Sequence, residues 1–148
     1  RCINHAGFLA VLVTNQSGVA RGLYDEDMLR NIHVRLAQRL GEGDAHLDAI
    51  YYCPHGPGED CDCRKPSPGM LLQAKRDLGI DLARSFVIGD TPSDLELAWN
   101  VGARACLVLT GYGRGYWEHQ AKTWDRQPDF VASNLHSAVV DILWRESR

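Results

Sequence analysis

The chain has 148 residues, enough for one domain with a buried core, and its 45% hydrophobic and 24% charged content is ordinary for a soluble globular protein. A net charge of −3 with scattered basic residues leaves no electrostatic footprint for nucleic acid or an anionic membrane, and no apolar run approaches the roughly eighteen residues that span a bilayer. Five cysteines, an odd number with Cys61 and Cys63 too close to pair comfortably, read as cytoplasmic metal or thiol chemistry and not as a disulfide framework.

Arg1-Cys2-Ile3-Asn4-His5-Ala6-Gly7 is neither a signal peptide nor a methionine start. Residues 8–13 are a continuous apolar run of strand length, closed by Thr14-Asn15-Gln16-Ser17-Gly18. Asp25 can cap a helix to about Leu40, because Met28, Leu29, Ile32, Leu36 and Leu40 recur at helical spacing before Gly41 and Gly43. A short strand over 48–52 then leads into the loop CPHGPGEDCDCRKP, residues 53–66. Ser67-Pro68 predicts an N-cap with proline at the first helical position; Leu71, Ala74 and Leu78 form the stripe, and Gly79 ends the helix. Residues 85–88 form the next buried strand, leading to Gly89-Asp90-Thr91-Pro92-Ser93-Asp94 and a helix with Leu95, Ala98 and Trp99 that stops at Gly102. A strand over 104–109 ends in Thr110-Gly111-Tyr112-Gly113, and a weak strand at 129–132 precedes a helix with Leu135, Val139 and Ile142 on one face.

Strands alternating with helices predict a Rossmann-like, three-layer α/β/α domain over residues 1–148, with a parallel sheet and no repeat or linker. Such sheets bind ligands at the carboxyl ends of their strands. The polar clusters at 14–17, 90–94 and 110–113 all follow strands, so this fold gathers them on one rim.

Cys53, His55, Cys61 and Cys63 supply three thiolates and an imidazole, the donor set of a closed tetrahedral zinc site with no position left for substrate. The bland alternative, four unconnected residues in a solvated loop, leaves three cysteines outside their usual interior setting. Cys2 and Cys106 read as small apolar residues of a helix and a strand. Arg64 and Lys65, attached to that loop, suit either a phosphate clamp or a solvated pair covering a helix start. Asp90 and Asp94 suit a hard cation such as Mg²⁺, or else they cap the following helix. Thr14 and Asn15 offer a hydroxyl and an amide that either cradle a phosphate or form a plain polar turn.

Taken together, TNQSGVARG (14–22), the stretch from Cys53 through Arg64-Lys65-Pro66 to Leu72, and GDTPSD (89–94) closely resemble the D-glycero-D-manno-heptose 1,7-bisphosphate 7-phosphatases of the haloacid dehalogenase superfamily. The resemblance covers essentially the whole chain. It implies a haloacid dehalogenase-type fold without a large cap domain, a Mg²⁺-dependent phosphatase and a structural Zn²⁺ that orders the loop presenting Arg64 and Lys65. Thr14 resembles the hydroxyl that hydrogen-bonds the transferring phosphoryl group, with Asn15, Gln16 and Ser17 beside the substrate. Lys65 resembles the lysine that stabilises pentavalent phosphorus, Arg64 the arginine that holds substrate, and Asp90 the magnesium-ligating aspartate, supported by Asp94. Many relatives carry lysine where this chain has Thr91.

The implied partner is a small phosphorylated sugar, met by a cytoplasmic monomer with no nucleic acid and no membrane. The histidinol-phosphate phosphatases share a similar zinc loop and are the nearest alternative; a non-catalytic zinc-stabilised binding domain is another. A nucleic-acid-binding zinc module is disfavoured by the acidic chain. One departure stands out. The family's Asp-x-Asp-Gly, whose first aspartate attacks phosphorus and whose second is the general acid and base, is not found: Asp25-Glu26-Asp27 opens a helix and Asp60-Cys61-Asp62 lies in the cysteine loop. The expectation is therefore an N-terminally truncated domain, inactive by itself and weak in Mg²⁺ binding. A gap is expected between the strand ending at Thr14 and the one ending at Gly89, or its filling by local rearrangement or partner pairing.

Overall fold

Asp48 and Asp129 sit just ahead of the second and last strands, and each aligns its strand with a parallel neighbour. In the computed structural model, which describes residues 1–147, a one-turn helix α1 (Cys2–His5) precedes β1 (Val11–Asn15), α2 (Glu26–Glu42) and β2 (Ala49–Cys53). β1 and β2 run parallel, in register from Val11↔Ala49 to Asn15↔Cys53. Asp48 donates its backbone N–H to the Ala10 carbonyl at 2.8 Å and accepts the Ala10 N–H on its carboxylate at 2.7 Å. β1 lies further along the chain than its apolar run predicts. Thr14 and Asn15 belong to it, opposite Tyr52 and Cys53, because backbone pairing does not require apolar side chains.

Asp25 caps α2 as predicted, its Oδ1 accepting from Met28 N–H at 2.8 Å, and Glu26 and Asp27 place negative charge at the positive end of the helix dipole. The helix continues through Gly41 to Glu42 and stops at Gly43. Its apolar stripe is only partly used: Leu29 is buried, whereas Met28 and Ile32 stay about half exposed.

From Lys65 onward the chain forms a second compact unit, the first being Arg1–Arg64. It contains α3 (Gly69–Leu78), β3 (Phe86–Gly89), α4 (Pro92–Asn100), β4 (Arg104–Val108), α5 (Gly113–His119), β5 (Phe130–Ala132) and α6 (Leu135–Glu146), with 3-10 turns at Leu82–Arg84 and Ala121–Thr123. The sheet is parallel in the order β3-β4-β5. Asp129 repeats the device of Asp48, exchanging backbone and carboxylate hydrogen bonds with Ala105 at 2.9 and 2.7 Å. The central strand β4 carries the buried residues Ala105, Cys106, Leu107 and Val108, and α4 supplies Leu95, Leu97 and Ala98 to the same core. Burying side chains such as Leu95, Leu97 and Leu107 this completely contributes about 1.5–3 kcal/mol each.

Two local expectations are corrected. Ser67 does not cap α3; Pro68 is itself the residue before the helix, already in right-handed backbone (φ −81°, ψ −1°), so the start slips by one position. Helix α5 was not predicted, because its sequence GRGYWEH combines two glycines with aromatics and lacks a helical stripe. The backbone pairing forms two parallel sheets, β1-β2 in the first unit and β3-β4-β5 in the second.

Candidate active site and metal centre

β2 ends at Cys53, which is wholly buried, and the Gly/Pro-rich chain after it folds back so that Cys53, His55, Cys61 and Cys63 converge. All four donor atoms lie within 4.8 Å of one another. Cys53 Sγ stands 3.8 Å from Cys61 Sγ and 3.5 Å from His55 Nδ1, and Cys63 Sγ stands 3.3 Å from that same nitrogen. Bond lengths of about 2.3 Å to sulfur and 2.0–2.1 Å to nitrogen at tetrahedral angles require edges of about 3.8 Å (S···S) and 3.6 Å (S···N). The spacing therefore fits one tetrahedral ion, with Nδ1 as the imidazole donor. Desolvation pushes the Cys63 thiol up to about 12, and the Cys53 and Cys61 thiols push it the same way. Desolvation also raises Cys61, but hydrogen bonds from the Arg64 backbone and the neighbouring thiols outweigh it and hold that thiol below its ordinary value. Three thiolates at these distances repel one another, and a divalent cation among them removes the repulsion. Arg64 braces the same loop, its guanidinium donating to the His55 carbonyl at 3.0 Å.

The loop after β1 lies against this one. Gln16 donates its backbone N–H to the Cys53 carbonyl at 2.7 Å, and Ala20 donates to the Pro54 carbonyl at 3.2 Å. The Thr14 hydroxyl accepts from the Gln16 amide at 3.0 Å, and that amide accepts from the Tyr24 hydroxyl at 2.6 Å. Asn15 closes β1, and Ser17 accepts the Arg21 backbone N–H through its carbonyl at 3.1 Å.

In the second unit the chemistry sits at the carboxyl ends of β3 and β4. Lys65 Nζ donates to Asp94 Oδ1 at 2.7 Å, with side-chain exposures of 15% and 8%, so the pair is largely withdrawn from water. Asn100 holds the next residue by donating to the Pro66 carbonyl at 3.0 Å. The other Asp94 oxygen accepts the Thr91 backbone N–H at 3.1 Å and its hydroxyl at 2.7 Å, which caps α4. Asp94 is thus the helix-capping carboxylate, and it pairs with Lys65 in the same act. Asp90 does not cap α4; its Oδ2 accepts the Tyr112 backbone N–H at 2.9 Å from the loop after β4. Two glycines permit this packing. A Cβ on Gly89 would overlap the Asp94 side chain, and one on Gly111, whose φ is +59°, would overlap the Asp90 carboxylate.

A family model described as HAD-hydrolase-like matches residues 62–138, from the cysteine loop through the Lys65 and Asp90 segments to α6. The D-glycero-beta-D-manno-heptose-1,7-bisphosphate 7-phosphatase of Haemophilus influenzae is 45% identical over 127 residues, covering 78% of this chain and 69% of that protein. The chain belongs to the heptose bisphosphate phosphatase family of haloacid dehalogenase-like hydrolases. The corresponding phosphatase of Pseudomonas aeruginosa is 45% identical over 111 residues, 75% of this chain and 62% of the relative. A crystal structure of the D,D-heptose 1,7-bisphosphate phosphatase from B. bronchiseptica, complexed with magnesium and phosphate, superimposes with a TM-score of 0.88 at 36% identity, covering 97% of this chain and 78% of that one. The haloacid dehalogenase-type α/β fold is therefore established, and the chain spans a little over three fifths of the length of the first curated heptose bisphosphate phosphatases it matches.

Within the chain, the four predicted metal donors come together, and so do Lys65, Asp90 and Asp94 around the end of β3. Thr14, Asn15, Gln16, Ser17 and Arg64 stand in the first unit, around the end of β1 and the cysteine loop. Sequence reading missed Tyr24 and the Tyr112 N–H. The first sits in a turn that no motif marks; the second is a backbone group, invisible to residue type. It also missed the role of Thr91, whose backbone N–H and hydroxyl both donate to Asp94 in the α4 cap.

Proposed function

We propose that the protein, when it carries the family's Asp-x-Asp-Gly strand, removes the 7-phosphate from D-glycero-D-manno-heptose 1,7-bisphosphate through an aspartyl-phosphate. The observation that carries this reading is the Lys65–Asp94 pair at 2.7 Å beside Asp90: a shielded cation fixed next to a carboxylate that has an oxygen to spare for a metal. Phosphoryl transfer depends mainly on positioning and charge stabilisation, which is what these groups provide. Lys65 neutralises charge on the phosphoryl oxygens, held by Asp94 so that it need not reorganise. Thr14 donates its hydroxyl to the same group, while Arg64, Asn15, Gln16 and Ser17 orient the rest of the substrate.

Two metals belong to the proposal. Zn²⁺ at Cys53, His55, Cys61 and Cys63 is structural, because four protein donors leave no open position. Mg²⁺ is held through Asp90, and when bound it supplies charge neutralisation at the phosphoryl oxygens. The nucleophile is the first aspartate of the family's Asp-x-Asp-Gly; in the 148 residues the only Asp-x-Asp triplets, Asp25-Glu26-Asp27 and Asp60-Cys61-Asp62, lack the following glycine. Its carboxylate forms the new bond to phosphorus as the bond from phosphorus to the sugar C7 oxygen breaks, and the second aspartate protonates that oxygen. Water then releases phosphate. No helix among the described residues is long and apolar enough to cross a membrane, and the protein is read as a cytoplasmic monomer acting on a small sugar phosphate.

The experiment is phosphate release from heptose 1,7-bisphosphate by two proteins, the 148 residues alone and the same residues preceded by an Asp-x-Asp strand. Only the second should turn over, and Lys65→Met in it should lower kcat by roughly 10²–10³-fold. Turnover by the 148 residues alone, lost on Asp90→Asn, would place the nucleophile elsewhere and refute the assignment.

A further inference from the structure

Tyr24, Gln16 and Thr14 form a chain of two hydrogen bonds whose first member has no part in the function proposed above. The Tyr24 hydroxyl donates to Gln16 Oε1 at 2.6 Å, and Gln16 Nε2 donates to Thr14 Oγ1 at 3.0 Å. The amide faces its oxygen to Tyr24 and its NH₂ to Thr14, and the lengths suit that arrangement. A separation of 2.6 Å suits O–H···O and is short for N–H···O, whose range is about 2.7–3.2 Å, whereas 3.0 Å is where N–H···O bonds are commonest.

That orientation decides what Thr14 can offer. A threonine hydroxyl has one proton to give and two lone pairs. Because Gln16 fills a lone pair, the proton stays available for an incoming anion. With the amide reversed, Thr14 would donate to Gln16 Oε1 and turn lone pairs toward a phosphoryl oxygen, which repels them. The Gln16 backbone is already fixed by its bond to the Cys53 carbonyl, so the amide flip is the freedom left to control. The Tyr24 ring is itself seated: it lies against Gly18 so closely that a Cβ there would overlap Cε1, Cζ and the hydroxyl, and Leu23 N–H donates to the Gly18 carbonyl at 2.9 Å.

We infer that Tyr24 is a positioning residue that, through Gln16, holds the Thr14 hydroxyl as a hydrogen-bond donor toward the phosphoryl group. The inference rests on the reading of Thr14 given above, and a mutant cycle separates the two. In the protein carrying the Asp-x-Asp strand, kcat and KM for heptose 1,7-bisphosphate are measured for wild type, Thr14→Val, Tyr24→Phe and the double variant, with urea unfolding midpoints alongside. Thr14→Val should lower kcat roughly 10²-fold. Tyr24→Phe should lower kcat about tenfold, equivalent to about 1.4 kcal/mol, with a smaller change in KM. The double variant should be no slower than Thr14→Val, because Tyr24 acts only through that hydroxyl.

An unchanged kcat in Thr14→Val overturns the reading of Thr14. A normal Tyr24→Phe, or a double variant slowed by the product of the two single effects, overturns the role of Tyr24 while leaving Thr14 in place. Gln16→Glu gives a second route that leaves Tyr24 untouched. A carboxylate offers only acceptors, so Thr14 must donate inward and kcat should fall at least as far as in Tyr24→Phe; wild-type turnover in that variant also refutes the inference.

Discussion

Asp94→Asn is the substitution whose cost follows most directly from the geometry. Asp94 is buried, and its carboxylate accepts three hydrogen bonds, from Lys65 Nζ on one oxygen and from the Thr91 N–H and hydroxyl on the other. An amide of the same shape has one oxygen. Whichever way it turns, its NH₂ group faces a donor, either the ammonium or the Thr91 N–H. One orientation loses the charge-assisted bond, about 1.5–3 kcal/mol. The other loses the cap, about 1 kcal/mol, and leaves the Thr91 N–H unpaired, about 1–3 kcal/mol more. Either way a destabilisation of up to about 3 kcal/mol is expected. For a domain of this size 3 kcal/mol lowers Tm by roughly 6–12 °C. Urea unfolding followed by circular dichroism measures it. A loss below about 1 kcal/mol for Asp94→Asn would refute this account of how the lysine is held.

The cysteine loop should bind one zinc per chain without added metal, read by mass spectrometry under native conditions; Cys61→Ser should abolish binding and speed amide exchange over residues 53–66, and a metal-free chain with an equally protected loop would contradict this. Gly111→Ala should displace the Asp90 carboxylate and strain a backbone at φ +59°, raising the Mg²⁺ concentration for half-maximal activity at least tenfold, and an unchanged requirement would contradict the packing argument. Burial, reinforced by Asp141, pushes the Cys106 thiol from 9.0 up to about 12. Between those values the unfolded chain releases a proton that the folded chain keeps, so stability falls as pH rises, by about 1.4 kcal/mol per pH unit at most. Cys106→Ala should flatten the alkaline stability curve by that one proton, and parallel curves for the two proteins would show that the thiol is not shielded.

The alternation of apolar runs and helical stripes made the parallel α/β architecture legible, and the ligand chemistry of residues 53–63 made the metal cluster legible. Both depend on residue type at short range. What escaped depends on distant partners. Nothing near Asp94 announces that Lys65, twenty-nine positions earlier, ends on its Oδ1, and a capping carboxylate looks the same in sequence whether or not a cation meets it. Tyr24 was passed over because its role arises when the chain turns back at Gly18 and brings the phenol to Gln16. The end of β1 was misplaced because the side chains turn polar before the pairing with Tyr52 and Cys53 stops. Helix α5 lacked a signal because it is short and glycine-rich, and it covers little apolar surface.

The central claim is that the 7-phosphate is the group removed. Phosphorus NMR of heptose 1,7-bisphosphate, incubated with Mg²⁺ and the 148 residues preceded by an Asp-x-Asp strand, tests it directly. The account predicts that the C7 phosphomonoester signal decays into inorganic phosphate while the anomeric phosphate stays intact, and that histidinol phosphate is hydrolysed with a far lower kcat/KM. Release of the anomeric phosphate, or a higher kcat/KM for histidinol phosphate, would contradict it.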